Sequence, residues 1–294
     1  MSLRAALANS GAEPVIAPLA LEPLSARIAR AAGFEYVYVS GGALGYAYGV
    51  SEALLSVTEV ADATRRVYLY GETRVIADVG VGFGDPVHVH RTVKEMQSAG
   101  ACALEIEDQV APKRVSHHRG IEHLVSTQEM CQKIEQCVAA RSDEEMLIIA
   151  RTGAVKNESF ANALERLQSY AAAGADVLML MPEDRTQVEK AREVLDRPLA
   201  TITSMDLVKS DRFANSGWNL FIDPFTAQVL STRIVQSAYK NFAEQGHTGV
   251  DLAELFADYH RLDELAGLSP LYGIEDLTTE LDTNPESQAR NSKE

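Results

Sequence analysis

One short motif recurs along this chain and limits its fold more than any other feature. A helix ends in small residues, a glycine follows, and an apolar run of three or four residues comes next. It is seen at Ala31-Ala32-Gly33 before Tyr36-Val37-Tyr38-Val39, and at Ala99-Gly100 before Ala103-Leu104-Glu105-Ile106. It returns at Ala172-Ala173-Gly174 before Val177-Leu178-Met179-Leu180, and at Ser216-Gly217 before Leu220-Phe221-Ile222. Glycine supplies the left-handed cap that ends a helix, and a short apolar run without alternation suits a strand covered on both faces. Each unit therefore reads helix, glycine, parallel strand.

Further apolar runs at Val15–Ala17, Val75–Ala77, Met146–Ala150 and Leu199–Ile202 bring the strand candidates to eight. Between them lie helical stretches at Thr58–Tyr70, Val87–Ala99, Thr127–Ala140, Glu158–Ala173, Arg185–Leu195 and Thr226–Glu244. Asn157 is a candidate N-cap, and Asp223-Pro224 has the form of an N-cap followed by proline at the first helical position. Eight alternations over roughly 250 residues predict an α/β fold, a closed (β/α)8 TIM barrel. An open doubly wound sheet is the alternative, because periodicity does not report closure. Residues 1–277 are expected to form a single domain that includes the C-terminal helices. The polar stretch 278–294 is expected to be a disordered tail.

Composition narrows the function. With 27 Lys and Arg against 42 Asp and Glu, the net charge is −15. That balance disfavours nucleic acid and anionic membrane as partners, since both call for clustered cations. It leaves room for a small anionic substrate, because a pocket sets its own field. The three cysteines, Cys102, Cys131 and Cys137, have neither disulfide nor zinc spacing and read as packing residues. The first thirty residues carry Arg4, Glu13 and Glu22 and lack an unbroken apolar core, so a cytoplasmic enzyme is expected.

In a barrel of this kind, chemistry sits at the C-terminal strand ends. Those ends read Ser40-Gly41-Gly42, Asp78 with Gly80, Gly82 and Gly84, Glu107-Asp108, Arg151, Met181-Pro182-Glu183, Thr203-Ser204 and Asp223. Asp78 and Glu107 close neighbouring strands, and paired carboxylates call for a positive partner such as Mg²⁺, which prefers oxygen ligands and keeps several waters. Each acid could equally be a helix cap or a solvated loop residue. Arg151 at the mouth can grip a carboxylate with two parallel bonds, or simply pair with Glu107. The glycine-rich ends could hold an anion on backbone N–H groups or be plain tight turns. His117, His118 and His123 occupy a long loop of lid length and read by default as solvated. His88 and His90 carry no evident chemistry.

Taken together, Leu24-Ser25-Ala26-Arg27, Ser40-Gly41-Gly42, Ala77-Asp78 through Gly82-Phe83-Gly84, Ile106-Glu107-Asp108-Gln109 with Pro112-Lys113-Arg114, Ile149-Ala150-Arg151-Thr152 and Ala172-Ala173-Gly174-Ala175-Asp176 resemble the isocitrate lyase/phosphoenolpyruvate mutase superfamily. The likeness runs from about Ser25 to Leu265. It implies a (β/α)8 barrel whose last helix is exchanged between subunits, giving a homodimer or homotetramer. Thr226–Glu244 with Leu252, Leu255, Phe256 and Leu265 offers a plausible intersubunit surface, and pairing within one subunit is the alternative.

The resemblance further implies a small 2-oxo or 2-hydroxy carboxylate substrate, Mg²⁺ or Mn²⁺, and a metal-stabilised enolate. By position it makes Asp78 the direct metal ligand and Glu107 an acid holding metal-bound water. Ser40, Gly41 and Gly42 become the carboxylate cradle, Arg151 its clamp, and Lys113 the lysine that opens a gating loop.

Several positions depart from that pattern. Gly80 stands where a second aspartate is usual, Glu52 replaces another water-holding aspartate, and Thr152-Gly153 replaces Thr-Asp or Thr-Asn. Val115 occupies the place of the cysteine that carbon–carbon lyases use as acid and base. Retro-aldol cleavage needs that proton, whereas decarboxylation of a 2-oxo diacid releases CO₂ without one. The expectation is therefore a metal-dependent carbon–carbon lyase of oxaloacetate-decarboxylating type, with water or His117 protonating the enolate. Alternatives are a methylisocitrate-type retro-aldol lyase, a phosphorus–carbon bond enzyme of phosphonopyruvate type, and a decayed member that only binds ligand.

Overall fold

The computed structural model describes residues 1–8 and 13–280. Most of the tail expected at 278–294 lies outside the described residues. The chain divides into two compact units, Met1–Ser231 and Thr232–Glu294. Among the described residues, no helix is long and apolar enough to cross a membrane.

The first unit holds eight parallel strands: β1 (Val15–Pro18), β2 (Tyr36–Val39), β3 (Arg74–Asp78), β4 (Ala101–Glu107), β5 (Leu147–Arg151), β6 (Val177–Met179), β7 (Leu199–Ile202) and β8 (Leu220–Asp223). Pairing runs β1-β8-β7-β6-β5-β4-β3-β2. The two ends meet where Leu19 bridges Tyr38 and the Ala20 N–H donates to the Tyr38 carbonyl at 3.0 Å. The sheet therefore closes, and the open alternative is excluded.

The helices of this unit are α1 (Leu3–Ala8), α2 (Pro23–Ala31), α3 (Gly41–Tyr48), α4 (Val57–Gly71), α5 (Pro86–Ser98), α6 (Thr127–Ala140), α7 (Ala154–Asn157), α8 (Phe160–Ala172) and α9 (Arg185–Val194). Next come α10 (Thr226–Gln245), which runs on into the second unit, then α11 (Leu252–Ala266) and α12 (Ser269–Leu277).

Two cap assignments change. Asn157 ends the single turn α7, and α8 is capped instead by Ser159, whose extended backbone lets its hydroxyl accept from the Asn162 N–H. Asp223 is still strand, and α10 starts at Thr226 rather than at Pro224. The Asp223 carboxylate nonetheless caps the turn, accepting from the N–H groups of Phe225 and Thr226.

Alternation along the strands sorts the core into two shells. Ala17, Tyr36, Tyr38, Ile76, Ala103, Ile149, Val177, Met179 and Ile222 point into the barrel, and Leu3 and Leu7 of α1 pack among them. The intervening residues, among them Val37, Val75, Ala77, Leu104, Ile148 and Ala150, pack outward against the helices. The register slips by one residue between β3 and β4, so that Val75 faces Ala101 while Ile76 faces Ala103. Beyond that slip Asp78 lies opposite Glu105, and Glu107 opposite Arg151. Inward parity and this register bring the polar strand ends to one mouth.

Leu3 is 1% exposed and packs with the interior shell. Leu3→Ala should cost about 2–5 kcal/mol through the cavity it leaves, seen as a lower urea midpoint, with ligand binding at the opposite mouth unchanged.

Candidate active site

At the mouth, β2 leads directly into α3. Ser40 caps that helix by accepting from the Ala43 N–H, so the Ser40-Gly41-Gly42 stretch is a helix N-terminus and not a loose turn. First-turn amides have no carbonyl partner inside their own helix. The Gly41 N–H instead donates to Asp78 Oδ2 at 2.9 Å, and the Gly80 N–H donates to Asp78 Oδ1 at 2.8 Å. The second bond curls the chain sharply after β3 and places Gly80 at φ 51°, in the left-handed region that glycine tolerates.

Glu52 arrives from the 3-10 turn Glu52–Leu54, which is pressed onto α3. A Cβ on Gly45 would stand 2.6 Å from the Glu52 backbone N, so only glycine permits this approach.

Lys113, 7% exposed at its side chain, bridges the acids: it bonds Glu52 and lies 2.5 Å from Glu107 Oε1. Arg151 reaches Glu107 Oε2 at 2.7 Å and Glu105 Oε1 at 3.2 Å. Its Nε is buried with no hydrogen-bond partner among the described residues. His117 directs Nε2 at Glu52 (2.8 Å) and Nδ1 at the Arg114 carbonyl (2.7 Å). Both ring nitrogens thus face acceptors, the arrangement of a protonated imidazole. His118 lies against His117 with ring centroids 3.9 Å apart, and bonds Ser51 Oγ (2.9 Å) and Tyr46 Oη (3.2 Å).

The structure therefore brings Ser40, Gly41, Gly42, Glu52, Asp78, Glu107, Lys113, His117 and Arg151 to one place. The reading of His117 as solvated is corrected, because its ring turns inward onto Glu52, whereas His118 stays exposed as expected. Arg151 does pair with Glu107, as its alternative reading allowed. Asp223 gives its oxygens to Met205, Phe225 and Thr226, and Glu183 is exposed. Asp108 turns away from the cluster to Thr152, the Gly153 N–H and Tyr170, bracing the end of β5.

Sequence reasoning missed Glu105 and Tyr38, whose hydroxyl donates to Glu105 Oε2. The available signal was an acid two residues before Glu107 in a strand, which shares its face. Buried Lys133 was also missed; it donates to the Val81 carbonyl at 3.2 Å and steadies the turn after β3.

Electrostatics follow from the packing. Burial pushes Asp78 up from its ordinary value, and nearby Glu52 and Glu107 add to that push against Lys113 and Arg151. Glu107 is also penalised by burial, but Arg151 and Lys113 outweigh it and hold the carboxyl low. Burial lifts Glu105 to about 8 despite Arg151. Lys113 is raised because Glu107 and Glu52 outweigh its burial. Buried Cys137 is pushed up to about 12, the state of an inert thiol.

The donors fit a hard cation. All are carboxylate oxygens, and Asp78 keeps a lone pair free on each oxygen after its two N–H bonds. Among the described residues no three acids or imidazoles already converge as direct ligands. Mg²⁺ commonly takes one or two protein carboxylates and keeps several waters. A cavity of about 460 Å³ opens beside the cluster, lined by Gly41, Glu52, Asp78, Gly80, Phe83 and Lys113, and is large enough for a small carboxylate.

Fold and site together define a (β/α)8 barrel with buried acids, a lysine and an arginine gathered at one mouth. Comparison with known proteins narrows the class. Residues 3–242 match the family model for phosphoenolpyruvate phosphomutase. A 2-methylisocitrate lyase from Aeropyrum pernix is 36% identical over 79% of this chain and 76% of its own length. The 2,3-dimethylmalate lyase of Eubacterium barkeri is 30% identical over 89% and 92%. A crystal structure of phosphonopyruvate hydrolase with oxalate and Mg²⁺ superimposes with a TM-score of 0.79 at 27% identity, covering 93% of this chain and 96% of that one. The chain belongs to the phosphoenolpyruvate phosphomutase family, within the isocitrate lyase/phosphoenolpyruvate mutase superfamily.

The loop contact has a pH window. Burial lowers the pKa of His117, but its bonds to Glu52 and to the Arg114 carbonyl outweigh that and raise it above 6.5. For Glu52, burial opposes ionisation, while His117 and Lys113 hold the carboxyl far below its ordinary value of 4.5. Stability from a raised histidine is complete below its unfolded pKa and is lost as pH rises through the folded one. The unfolding free energy that the parent gains over His117→Gln should therefore shrink as pH rises above about 6.5. Urea titrations at several pH values measure it, and a constant difference would contradict the contact.

Proposed function

We propose that this protein is a Mg²⁺-dependent carbon–carbon lyase acting on a small 2-oxo or 2-hydroxy carboxylate, with oxaloacetate-type decarboxylation as its reaction. The observation that carries this reading is the meeting of Asp78, Glu107, Glu52, Lys113 and Arg151 at one barrel mouth. Asp78 would hold the metal, with Glu107 and Glu52 on its waters. When bound, Mg²⁺ supplies the positive charge that stabilises negative charge developing on the substrate's 2-oxo oxygen.

The chain's own groups do the rest. Arg151, with its unpaired Nε, grips the substrate carboxylate, assisted by the Gly42 amide in the first turn of α3. Lys113 ties Glu52 to Glu107 and keeps the acids charged in a buried place. The bond from C3 to the departing carboxylate breaks, its electron pair moves toward the carbonyl, and CO₂ leaves. His117, charged and 11% exposed at its side chain, can then return a proton to C3. Val115 offers no proton, and it faces outward at 53% exposure.

A second reading is retro-aldol cleavage of a methylisocitrate-type hydroxy acid. It is favoured by the placement of His117, a proton donor two residues past Val115, and by the lyases among the relatives.

Titration of metal-free protein with Mg²⁺, and separately Mn²⁺, in the presence of oxalate should raise the melting temperature, and Asp78→Ala should abolish the shift. A panel of 2-oxo and 2-hydroxy diacids and triacids, followed for pyruvate, glyoxylate and CO₂, should show oxaloacetate turned over fastest. Asp78→Ala should lower that rate by about 10³-fold or more, and His117→Ala by about 10²-fold. Rapid glyoxylate or succinate release that survives His117→Ala rejects both the order of preference and the role of His117. An Asp78→Ala protein equal to the parent on every substrate would leave a ligand-binding protein and no metal-assisted catalyst.

A further inference from the structure

Beneath the site the barrel interior is apolar at Ile76, Ala103, Ile149 and Val177. Glu105 interrupts it, wholly buried, in register with Asp78 on one side and Ile149 on the other. Arg151 stands one inward position higher, level with Glu107. Its guanidinium is thus held at two points, by Glu107 beside it (Nη2 to Oε2, 2.7 Å) and by Glu105 below (Nη1 to Oε1, 3.2 Å). The other oxygen of Glu105 is fixed by the Tyr38 hydroxyl, also buried, from β2.

A buried ion pair is seldom more stable than apolar side chains of the same volume, so stability alone gives no reason for an acid in this layer. Geometry does. Held only by Glu107, the guanidinium could swivel about a single contact. The second contact fixes its plane, and the buried Nε is left without a hydrogen-bond partner among the described residues. We propose that Glu105, held by Tyr38, is the positioning residue that sets the plane of the Arg151 guanidinium for the substrate carboxylate. This inference rests on the reading of Arg151 as the carboxylate clamp.

The test uses oxalate with Mg²⁺ as the probe, by calorimetry on the full chain. Glu105→Leu should weaken oxalate about tenfold. Glu105→Gln, which keeps an acceptor oxygen in the same place, should recover most of that loss, and Tyr38→Phe should fall between the two. In an Arg151→Lys background, Glu105→Leu should cost no more than about twofold further, because its effect runs through the guanidinium. Steady-state kinetics should show the loss mainly in KM, with kcat less affected. Equal losses for Leu and Gln, or full additivity with Arg151→Lys, would mean that Glu105 only fills space and would overturn the proposal. If Glu105→Leu does not fold, the Gln and Phe variants in the same cycle decide. A parent that binds oxalate while the Glu105 and Tyr38 variants bind it equally well removes this inference alone. A parent that binds no oxalate removes the clamp reading and this inference together.

Discussion

Everything at the mouth of this barrel depends on neutralising carboxylates that have been taken out of water. Asp78, Glu105 and Glu107 are at most 6% exposed, on two adjacent strands, with Glu52 folded over them. Unpaired, such a group would be protonated or would not stay buried. Lys113 and Arg151 divide the work: the lysine spans Glu52 and Glu107, and the arginine spans Glu107 and Glu105. Asp78 has neither cation as a direct partner and relies on two backbone N–H groups. It is also raised by burial, which makes it the acid that would gain most from an added cation.

This arrangement rests on packing and hydrogen bonds outside the ion pairs themselves. The one-residue slip between β3 and β4 puts Asp78 beside Glu105 and lets Glu107 project past the end of β3. Ser40 turns the end of β2 into a helix start whose first amide reaches Asp78. Gly45 lets the Glu52 turn lie on α3, and Lys133 holds the Val81 carbonyl beneath the turn that carries Gly80. Each is a packing or hydrogen-bonding choice outside the ion pairs, yet each helps to set where a carboxylate points.

The loop after β4 links the site to the surface. Its lysine and its first histidine both reach Glu52, and its second histidine grips Ser51 and Tyr46. Glu52 is therefore both a prospective holder of metal-bound water and the anchor of the loop that covers the site. With Val115 turned outward, the proton donor in the proposed reaction is the residue that already touches this anchor. Gly80 leaves the same region one carboxylate poorer, so the charge on Glu52 matters more than it would beside a second aspartate.

The sequence alone determined the eight strands, their order and the closed-barrel expectation, because buried strands and glycine-capped helices leave a local pattern that needs no knowledge of distant contacts. It also named Asp78, Glu107 and Arg151, since strand ends in such a barrel share one mouth. It misplaced the cap at Asn157 and the helix start at Pro224, which depend on backbone angles a residue or two away. It read His117 as solvated, because nothing local reports that Glu52, sixty-five residues away in sequence, waits to receive it. Glu105 was hidden inside an apolar run; its partners Tyr38 and Arg151 come from other strands and meet it only when the barrel closes. Pairing of buried charge over long separations was decided by the tertiary structure, because the energy that fixes it comes from desolvation and proximity, and neither exists until the chain has folded.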